Sequence, residues 1–458
     1  MSEIPHTNSL NHDKDHISSS KAREPEEDLP EKLTNLKLSV NTNSDPTPNS
    51  TTDSSSIRAR IFRRFSISPT NSYIPEHKFW DTQLVTKLTD VVNSNECGPI
   101  DPNEDVSRVK KNPIPLPNGF EWISLDINDE EDRNQVYKLL SENYVEDGDA
   151  LFRFDYKREF LIWALTVPNY NKDWQIGVRV SSCKTLIGYI TAVPVNVNVV
   201  GNTLKLAEVN FLCIHKKFRS KRLAPVLIKE ITRRVNLCGI WQAIYTAGIV
   251  IPRPIAKCRY WHRPLDIKRL IASRFSGVGR RMTISRAVRI YKVNDIPNVE
   301  MRPMEGKDVL SLHKLLTKHL QNYKLYQEFD VDEVEHQFMP REDIIQTFVK
   351  TVDGQVTDML SYYSLPSSVI NNRKVHTIRA AYSFYNIATT MSFKSLMEHA
   401  IYFSKSQGYD VYNALDLMEN SLVFKDLKFG MGDGDLHYYM FNYRVPDLKP
   451  SDVGIVLL

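Results

Sequence analysis

No run of about 18 apolar residues occurs anywhere in the 458-residue chain, so the sequence offers no membrane-spanning helix. Its start, Met1, Ser2, Glu3, lacks the basic-then-apolar order of a secretory signal. Cysteine is scarce. Cys97, Cys183, Cys213, Cys238 and Cys258 are odd in number and show no CxxC spacing, which argues against a structural zinc site or a redox pair. A reducing cytoplasmic setting fits that usage. A surplus of one charge is nearly missing too: a formal net charge of +4 over this length marks neither a dedicated DNA or RNA binder nor an acidic scaffold.

What is present is a long, core-forming chain. Its apolar share of 41% supports a real interior, and its length suggests two to three units or one large double-lobed unit. The exception is residues 1–72. They are rich in Ser, Asn, Thr, Pro and charge and poor in aromatics, so they bury too little to offset ordering and are predicted to form a disordered arm. Within the arm, Arg58 to Arg64 is a short basic cluster with an apolar centre, suited to a phosphate-rich surface such as the ribosome or simply to solvent. Globular texture begins near Tyr73.

A duplication shows through the globular part. Phe120 to Leu125 reads as a strand followed by a helix carrying Val136, Leu139 and Leu140; Val299 to Met304 is likewise followed by a helix carrying Leu312, Leu315 and Leu316. Each opening leads to a β-rich stretch ending in proline, Leu186 to Pro194 and Met359 to Pro366, and then to a further strand, Ala207 to Ile214 and Ile378 to Tyr385. The pattern predicts an α/β (α+β) fold with two similar lobes sharing one saddle-shaped mixed sheet.

The most informative stretch is Glu208-Val-Asn-Phe-Leu-Cys-Ile-His-Lys216, continuing Lys-Phe-Arg-Ser-Lys-Arg-Leu-Ala-Pro225. A strand feeds a basic turn, and Pro225 falls in the first turn of a helix whose Leu223, Leu227, Ile231 and Val235 share one face. Backbone N–H groups at the helix start, with Arg219, Lys221 and Arg222, suit a pyrophosphate; a solvated basic turn is the plainer alternative. Strand, Arg-x-x-Arg-x-Ala and helix in that order resemble the coenzyme-A loop of the GCN5-related N-acetyltransferase superfamily, though that loop's usual glycines are missing.

Two strings make the resemblance specific. Glu208 to Lys216 and Lys428-Phe-Gly-Met-Gly-Asp-Gly434 read as the two signatures of the N-myristoyltransferase family (glycylpeptide N-tetradecanoyltransferases). Similarity extends from about Tyr73 to Leu458 and includes His77-Lys-Phe-Trp80, Asn143 to Asp147, Tyr245 to Ile249, Arg259 to Pro264, Ala381 to Asn386 and Asn413 to Asp416. The resemblance implies a lobe over 73–270 that binds myristoyl-CoA and a lobe over 271–458 that supplies most of the peptide groove. It also implies a monomer, no permanent cofactor or metal, and myristoyl-CoA as a co-substrate for proteins with N-terminal glycine, often with Ser and Lys downstream.

Carried across, the resemblance makes the backbone amides of Phe211 and Leu212 an oxyanion hole for the thioester carbonyl, for which a β-bulge would free them. The terminal carboxylate of Leu458 becomes the proton acceptor for the glycine amine, and Asn210 and Thr246 hold that amine beside it. His77, Lys78, Phe79 and Trp80 lie over coenzyme A. Cys213, Ile214, Ser220, Leu223 and Ala224 join Phe211, Leu212, Arg219, Lys221, Arg222 and Pro225 in the cofactor site. Tyr144, Glu146, Asp147, Asp149, His262, Tyr382, Asn413, Asp433 and Gly434 meet the peptide. Gly148, where relatives often carry a charge, and Asp435 are local departures.

Cys213 and His215 raise a rival acyl-enzyme route, but side chains two apart along a strand stand about 7 Å apart, so structural roles are expected for both. An acetyl-CoA-dependent acetyltransferase would need no deep apolar pocket, whereas a myristoyl chain gains about 0.8 kcal/mol per buried CH₂. An RNA or ribosome binder would be expected to interleave stacking aromatics with its basic clusters, and these are sparse.

Overall fold

A computed structural model describes residues 78–458 apart from 94–95, 103–104, 147–150, 252, 278–281 and 297–299. The arm with its Arg58 to Arg64 cluster, and the site candidates His77, Asp147 and Asp149 with Gly148, lie outside the described residues.

The first half supplies strands β1 (Phe120–Ser124), β2 (Phe152–Phe154), β3 (Gln175–Val180), β4 (Leu186–Val199), β5 (Asn202–Ile214), β6 (Ala243–Ala247) and β7 (Ala256–Pro264). The second supplies β8 (Arg302–Pro303), β9 (Leu325–Gln327), β10 (Ile345–Val352), β11 (Gln355–Ser364), β12 (Ser367–Val369), β13 (Thr377–Ile378), β14 (Ala380–Ile387), β15 (Val411–Leu415), β16 (Gly430–Phe441) and β17 (Val453–Gly454). Helices are α1 (Glu130–Asn143), α2 (Arg158–Leu165), α3 (Leu223–Asn236), α4 (Ile267–Ala272), α5 (Ile284–Ile290), α6 (Val309–Leu320), α7 (Val331–Phe338) and α8 (Phe393–Ser406).

One mixed sheet runs β1-β3-β4-β5-β6-β16-β7-β15-β14-β11-β10-β8, with β9 and β17 attached beside β4. Its two ends repeat each other. β1-β3-β4-β5-β6 and β8-β10-β11-β14-β15 have the same antiparallel order, each closes on a parallel pair, and each parallel pair is joined through a helix, α3 or α8. The duplication seen in the sequence is therefore present in the topology. A smaller sheet, β13-β12-β2, ties a first-half strand to the second half.

The helices form where the pattern placed them. Asp129 caps α1 through the Asp132 N–H, and Val136, Leu139 and Leu140 are buried; Leu312 and Leu316 of α6 are likewise buried, on the period of a one-sided helix.

Three strand boundaries differ from expectation. β4 continues through Pro194 to Val199, because β3 stops pairing at Thr191 and β9 starts at Val197, so proline sits where one flank has no ladder to serve. The strand expected from Val299 is reduced to Arg302–Pro303. The strand expected from Ile378 breaks at Arg379, whose N–H donates to the Asp410 carboxylate (2.9 Å).

Candidate active site

β4 and β5 pair regularly from Val199↔Asn202 to Thr191↔Asn210 and resume at Tyr189↔Cys213, so Ile190 alone faces both Phe211 and Leu212. This is a β-bulge, and Phe211 adopts φ +53° within it. A bulky residue in the left-handed region costs on the order of 1–3 kcal/mol, so the surrounding packing must hold it there. Phe211 is buried, with Tyr156 edge-on at 5.0 Å and Tyr144 at 5.9 Å. Burial pushes the Tyr144 hydroxyl well above its ordinary range, while the Phe211 backbone N–H, which faces it, acts in the opposite sense. The Phe211 amide at the bulge thus faces the Tyr144 hydroxyl.

The neighbouring pair of strands opens at the same level. β5 and β6 run parallel through only two partnered positions, Ala207↔Ala243 and Glu208↔Ile244. Carried on in register, Asn210 would face Thr246, but the strands have parted. The gap therefore opens at Val209, two residues before the bulged Phe211. Thr246 remains fixed on its other side by Tyr438 of β16. Beside it, Tyr245 stacks between Trp80 (5.7 Å) and Tyr439 (5.2 Å), which places Phe79 and Trp80 at the gap, half-buried rather than in the core.

The C-terminal tail enters from the second half. Ile455, Val456 and Leu457 are buried; Tyr438 Oη donates to the Ile455 carbonyl (3.1 Å), and the Val456 N–H donates to Tyr385 Oη (3.2 Å). Leu458 then lines a narrow cavity with Glu208, Val193, Phe384 and Trp163. Asn210 Nδ2 donates to Glu208 Oε1 (2.7 Å). Burial raises the Glu208 carboxyl above its usual range, against the lowering influence of Asn210 and of the Leu458 backbone. Glu208 opens the first signature, yet its role escapes sequence reading; the available signal was its place two residues before Asn210, on the same strand face.

The basic turn is built as its sequence suggests. Ser220 (φ +65°) and Arg222 (φ +60°) flank Lys221 in left-handed conformations, and Arg222 stands at the N-cap of α3 with no side-chain cap. Alternating conformations of this kind present successive N–H groups to one concavity. Leu223, Leu227, Ile231 and Val235 are buried beneath. The turn is also fastened to α1: the Lys216 N–H donates to Asn143 Oδ1 (2.9 Å), and Arg219 Nη2 donates to the Asn143 carbonyl. Lys78 is exposed, and Ile214, Ala224 and Pro225 continue the strand and helix that frame the turn.

Cys213 and His215 are not joined. Burial pushes the Cys213 thiol up to about 12, and its Sγ lies 3.8 Å from the Leu139 carbonyl; His215 Nδ1 instead accepts from the Lys217 N–H (3.2 Å).

On the second half's side, adjacent strands line up Tyr382, Asn413 and His262. His262 Nδ1 lies 2.7 Å from Asn413 Oδ1, and burial holds the imidazole below its ordinary range, with Asn413 and Asp433 acting upward. Asp433 and Gly434 are exposed on β16 nearby. A chain of rings, Phe211–Tyr156–Phe154–Tyr382, with centroids 5.0 to 6.3 Å apart, links this cluster to the bulge. Glu146 is committed: Lys216 Nζ (2.6 Å) and Arg153 both bond its carboxylate, holding it below the usual range. Asp435 is committed likewise, to Arg259 (2.7 Å) and Lys257 (2.8 Å).

Comparison with known proteins follows the same outline. Residues 99–258 match the N-terminal domain of myristoyl-CoA:protein N-myristoyltransferase and residues 272–456 match its C-terminal domain. The chain is 49% identical over 384 residues to the glycylpeptide N-tetradecanoyltransferase of Plasmodium falciparum, covering 84% of this chain and 94% of that one. It is 49% identical over 403 residues to that of Dictyostelium discoideum, covering 87% and 97%. Its fold superposes on the crystal structure of Saccharomyces cerevisiae N-myristoyltransferase with bound myristoyl-CoA at a TM-score of 0.80 and 39% identity, over 84% of this chain and 99% of that one. Parted strands beside a bulge, a basic helix start and a buried tail thus occur in a chain that belongs to the myristoyl-CoA:protein N-myristoyltransferase family.

Proposed function

We propose that the parted strands β5 and β6 hold the reacting centre, with named residues in distinct parts. The chain transfers myristate from myristoyl-CoA to the N-terminal glycine amine of protein substrates. The observation that carries the assignment is the Phe211 bulge, which directs a main-chain N–H away from its ladder next to the gap and the buried tail. In this reading the Phe211 and Leu212 amides bind the thioester oxygen as negative charge builds on it, each donor contributing about 2.7–4 kcal/mol to the transition state. Asn210 and Thr246 hold the amine. The Leu458 carboxylate takes its proton, because an amine with a reference pKa near 8 is mostly protonated and unreactive at pH 7.

Residues 73–270 form the myristoyl-CoA lobe. Lys78, Phe79 and Trp80 (with His77), Cys213, Ile214 and the turn from Arg219 to Pro225 receive the cofactor, the turn's N–H groups and cations meeting the phosphates. Residues 271–458 supply most of the peptide groove, with Tyr382, Asn413, Asp433 and Gly434 joined by His262 and Tyr144. Glu146, Asp147 and Asp149 are the acidic residues for a lysine downstream of the glycine. The enzyme works as a monomer in the cytoplasm, and the basic arm brings it to ribosomes. Among the described residues no helix is long and apolar enough to cross a membrane.

The test is incubation with myristoyl-CoA and an octapeptide beginning with glycine, read by mass. A myristoylated peptide is expected, and a strong loss of single-turnover rate on extending the chain beyond Leu458, with acyl-CoA affinity kept. An extended enzyme that reacts at the unextended rate removes Leu458 from the chemistry.

A further inference from the structure

A free α-carboxyl group is a poor partner for an ammonium proton, since its reference pKa is about 3.3–3.7 against about 8 for the amine. If Leu458 accepts that proton, its surroundings must strengthen it as a base. The structure contains a group placed to do so. Glu208 is the last residue of β5 paired with β6, two residues before Asn210, and it lines one cavity with Leu458. That cavity measures about 20 Å³, room for one water and no more.

Among the described residues no cation offsets this carboxyl group. Neither Glu208 nor Leu458 forms an ion pair among the described residues. From β4 the neighbours are Val193 and Val195, from α2 Trp163, and from β14 Phe384; Gln327 and Gln337 are polar but uncharged. Tyr385, whose hydroxyl accepts from the Val456 N–H, is a further titratable group acting with Glu208, and burial keeps it protonated. The Trp163 indole N–H, buried in the wall, has no hydrogen-bond partner. Two carboxyl groups in such a niche interact much more strongly than in water, and ionising one makes the other hold its proton more firmly.

We propose that Glu208 is a positioning residue for the Leu458 carboxylate: it fixes Asn210 and the last residue around the amine and strengthens the terminal carboxylate as a base by sharing its narrow cavity. The inference rests on the reading of Leu458 as proton acceptor. The proton leaves the glycine ammonium nitrogen for a Leu458 carboxylate oxygen, the freed nitrogen lone pair attacks the thioester carbon, the C–S bond breaks with its electron pair leaving on the coenzyme A sulfur, that sulfur takes up the second proton the nitrogen loses, and Glu208 neither gains nor loses a bond. Burial raises the Glu208 carboxyl group itself, while Asn210 and the Leu458 backbone act in the opposite sense.

The test is Glu208→Gln, which keeps an oxygen for Asn210 and removes the charge. Single-turnover rates are measured against pH, with myristoyl-CoA affinity and Tm as controls. A weaker base holds less of the amine in its neutral form but stays ionised to lower pH. The plateau near pH 8 should therefore fall about tenfold while the acid limb moves down by about one pH unit, the size expected for loss of one close like charge. A rate lowered equally at every pH, with the limb unmoved, shows only a structural role and overturns the proposal. In the chain extended beyond Leu458 the substitution should have no further effect on the limb. If that extended chain is inactive while Glu208→Gln alone leaves the limb in place, Leu458 stands as the base and Glu208 does not tune it. If the extended chain is fully active, the reading beneath the proposal has failed. Should Glu208→Gln unfold, Glu208→Asp, which keeps the charge, must keep the wild-type limb.

Discussion

Gly432 lies directly beneath His262: a Cβ added to Gly432 would stand 2.5 Å from His262 Nε2 and 2.8 Å from the Tyr260 carbonyl oxygen. The second signature thus carries glycine at this position because a ring and a backbone oxygen occupy the space of any side chain. Gly432→Ala should displace the imidazole and raise the KM for peptide about tenfold, as an overpacking cost of 1–3 kcal/mol implies, while myristoyl-CoA affinity is unchanged. Steady-state kinetics with each substrate varied in turn check this.

His262 also gives the fold an acid weakness. Its imidazole, like those of the half-buried His215 and His336, is held below the ordinary value by burial. The unfolded chain then binds protons first as pH falls, so the penalty is absent above about 6.5, grows through the window below it, and is complete once the folded pKa is passed. Tm should decline from pH 7 to pH 5, and His262→Gln should flatten part of that decline. An equal slope in the variant would assign the loss elsewhere.

Replacing Arg219, Lys221 and Arg222 together by Ala should raise the KM for myristoyl-CoA more than that for peptide, since full charges on phosphates are removed and the peptide side is untouched. Because Arg219 also bonds the Asn143 carbonyl, the variant's Tm must be read alongside. Unchanged cofactor affinity would return this turn to the status of a solvated surface.

Cys213→Ala should keep most of kcat. Its thiol, pushed up to about 12 by burial, is protonated at neutral pH and has no imidazole at hand. Trapping of an acyl group on Cys213 in a quenched reaction would contradict direct transfer.

Tyr438→Phe and Tyr385→Phe each remove one hydrogen bond from the tail, to Ile455 and Val456 respectively. Each should cost about 1 kcal/mol of stability and lower kcat while sparing myristoyl-CoA affinity, and the double variant more than either. Calorimetry and single-turnover rates on the three proteins decide this.

Periodicity revealed the duplicated halves because it depends on side-chain burial, which is local and one-sided in α1, α6 and β5. It missed the break at Arg379 and the run through Pro194, since both depend on what stands alongside, Asp410 in one case and β9 in the other, each distant in the chain. The bulge at Phe211 was expected only from the chemistry its amides would serve; nothing in Asn-Phe-Leu marks a left-handed phenylalanine. Phe79 and Trp80 look like core aromatics by type, and only the stack on Tyr245 shows them at the edge of a gap. Glu146 and Asp435 read as free acids, but ion pairing is invisible until Lys216, Arg153, Arg259 and Lys257 are in place. Glu208 stayed unread because a carboxylate beside an asparagine has meaning only once a chain end arrives from far away.

The position of β16 sets a condition on how the chain can be made. It lies between β6 and β7, two strands synthesised long before it, and pairs with both. Until residues 430–441 emerge, β6 and β7 each present an open edge able to recruit strands from other molecules. A nascent chain therefore waits, partly folded and adhesive, for its own late segment. Separately expressed first halves should aggregate, and they should be rescued by co-expressing a fragment that carries the missing strand.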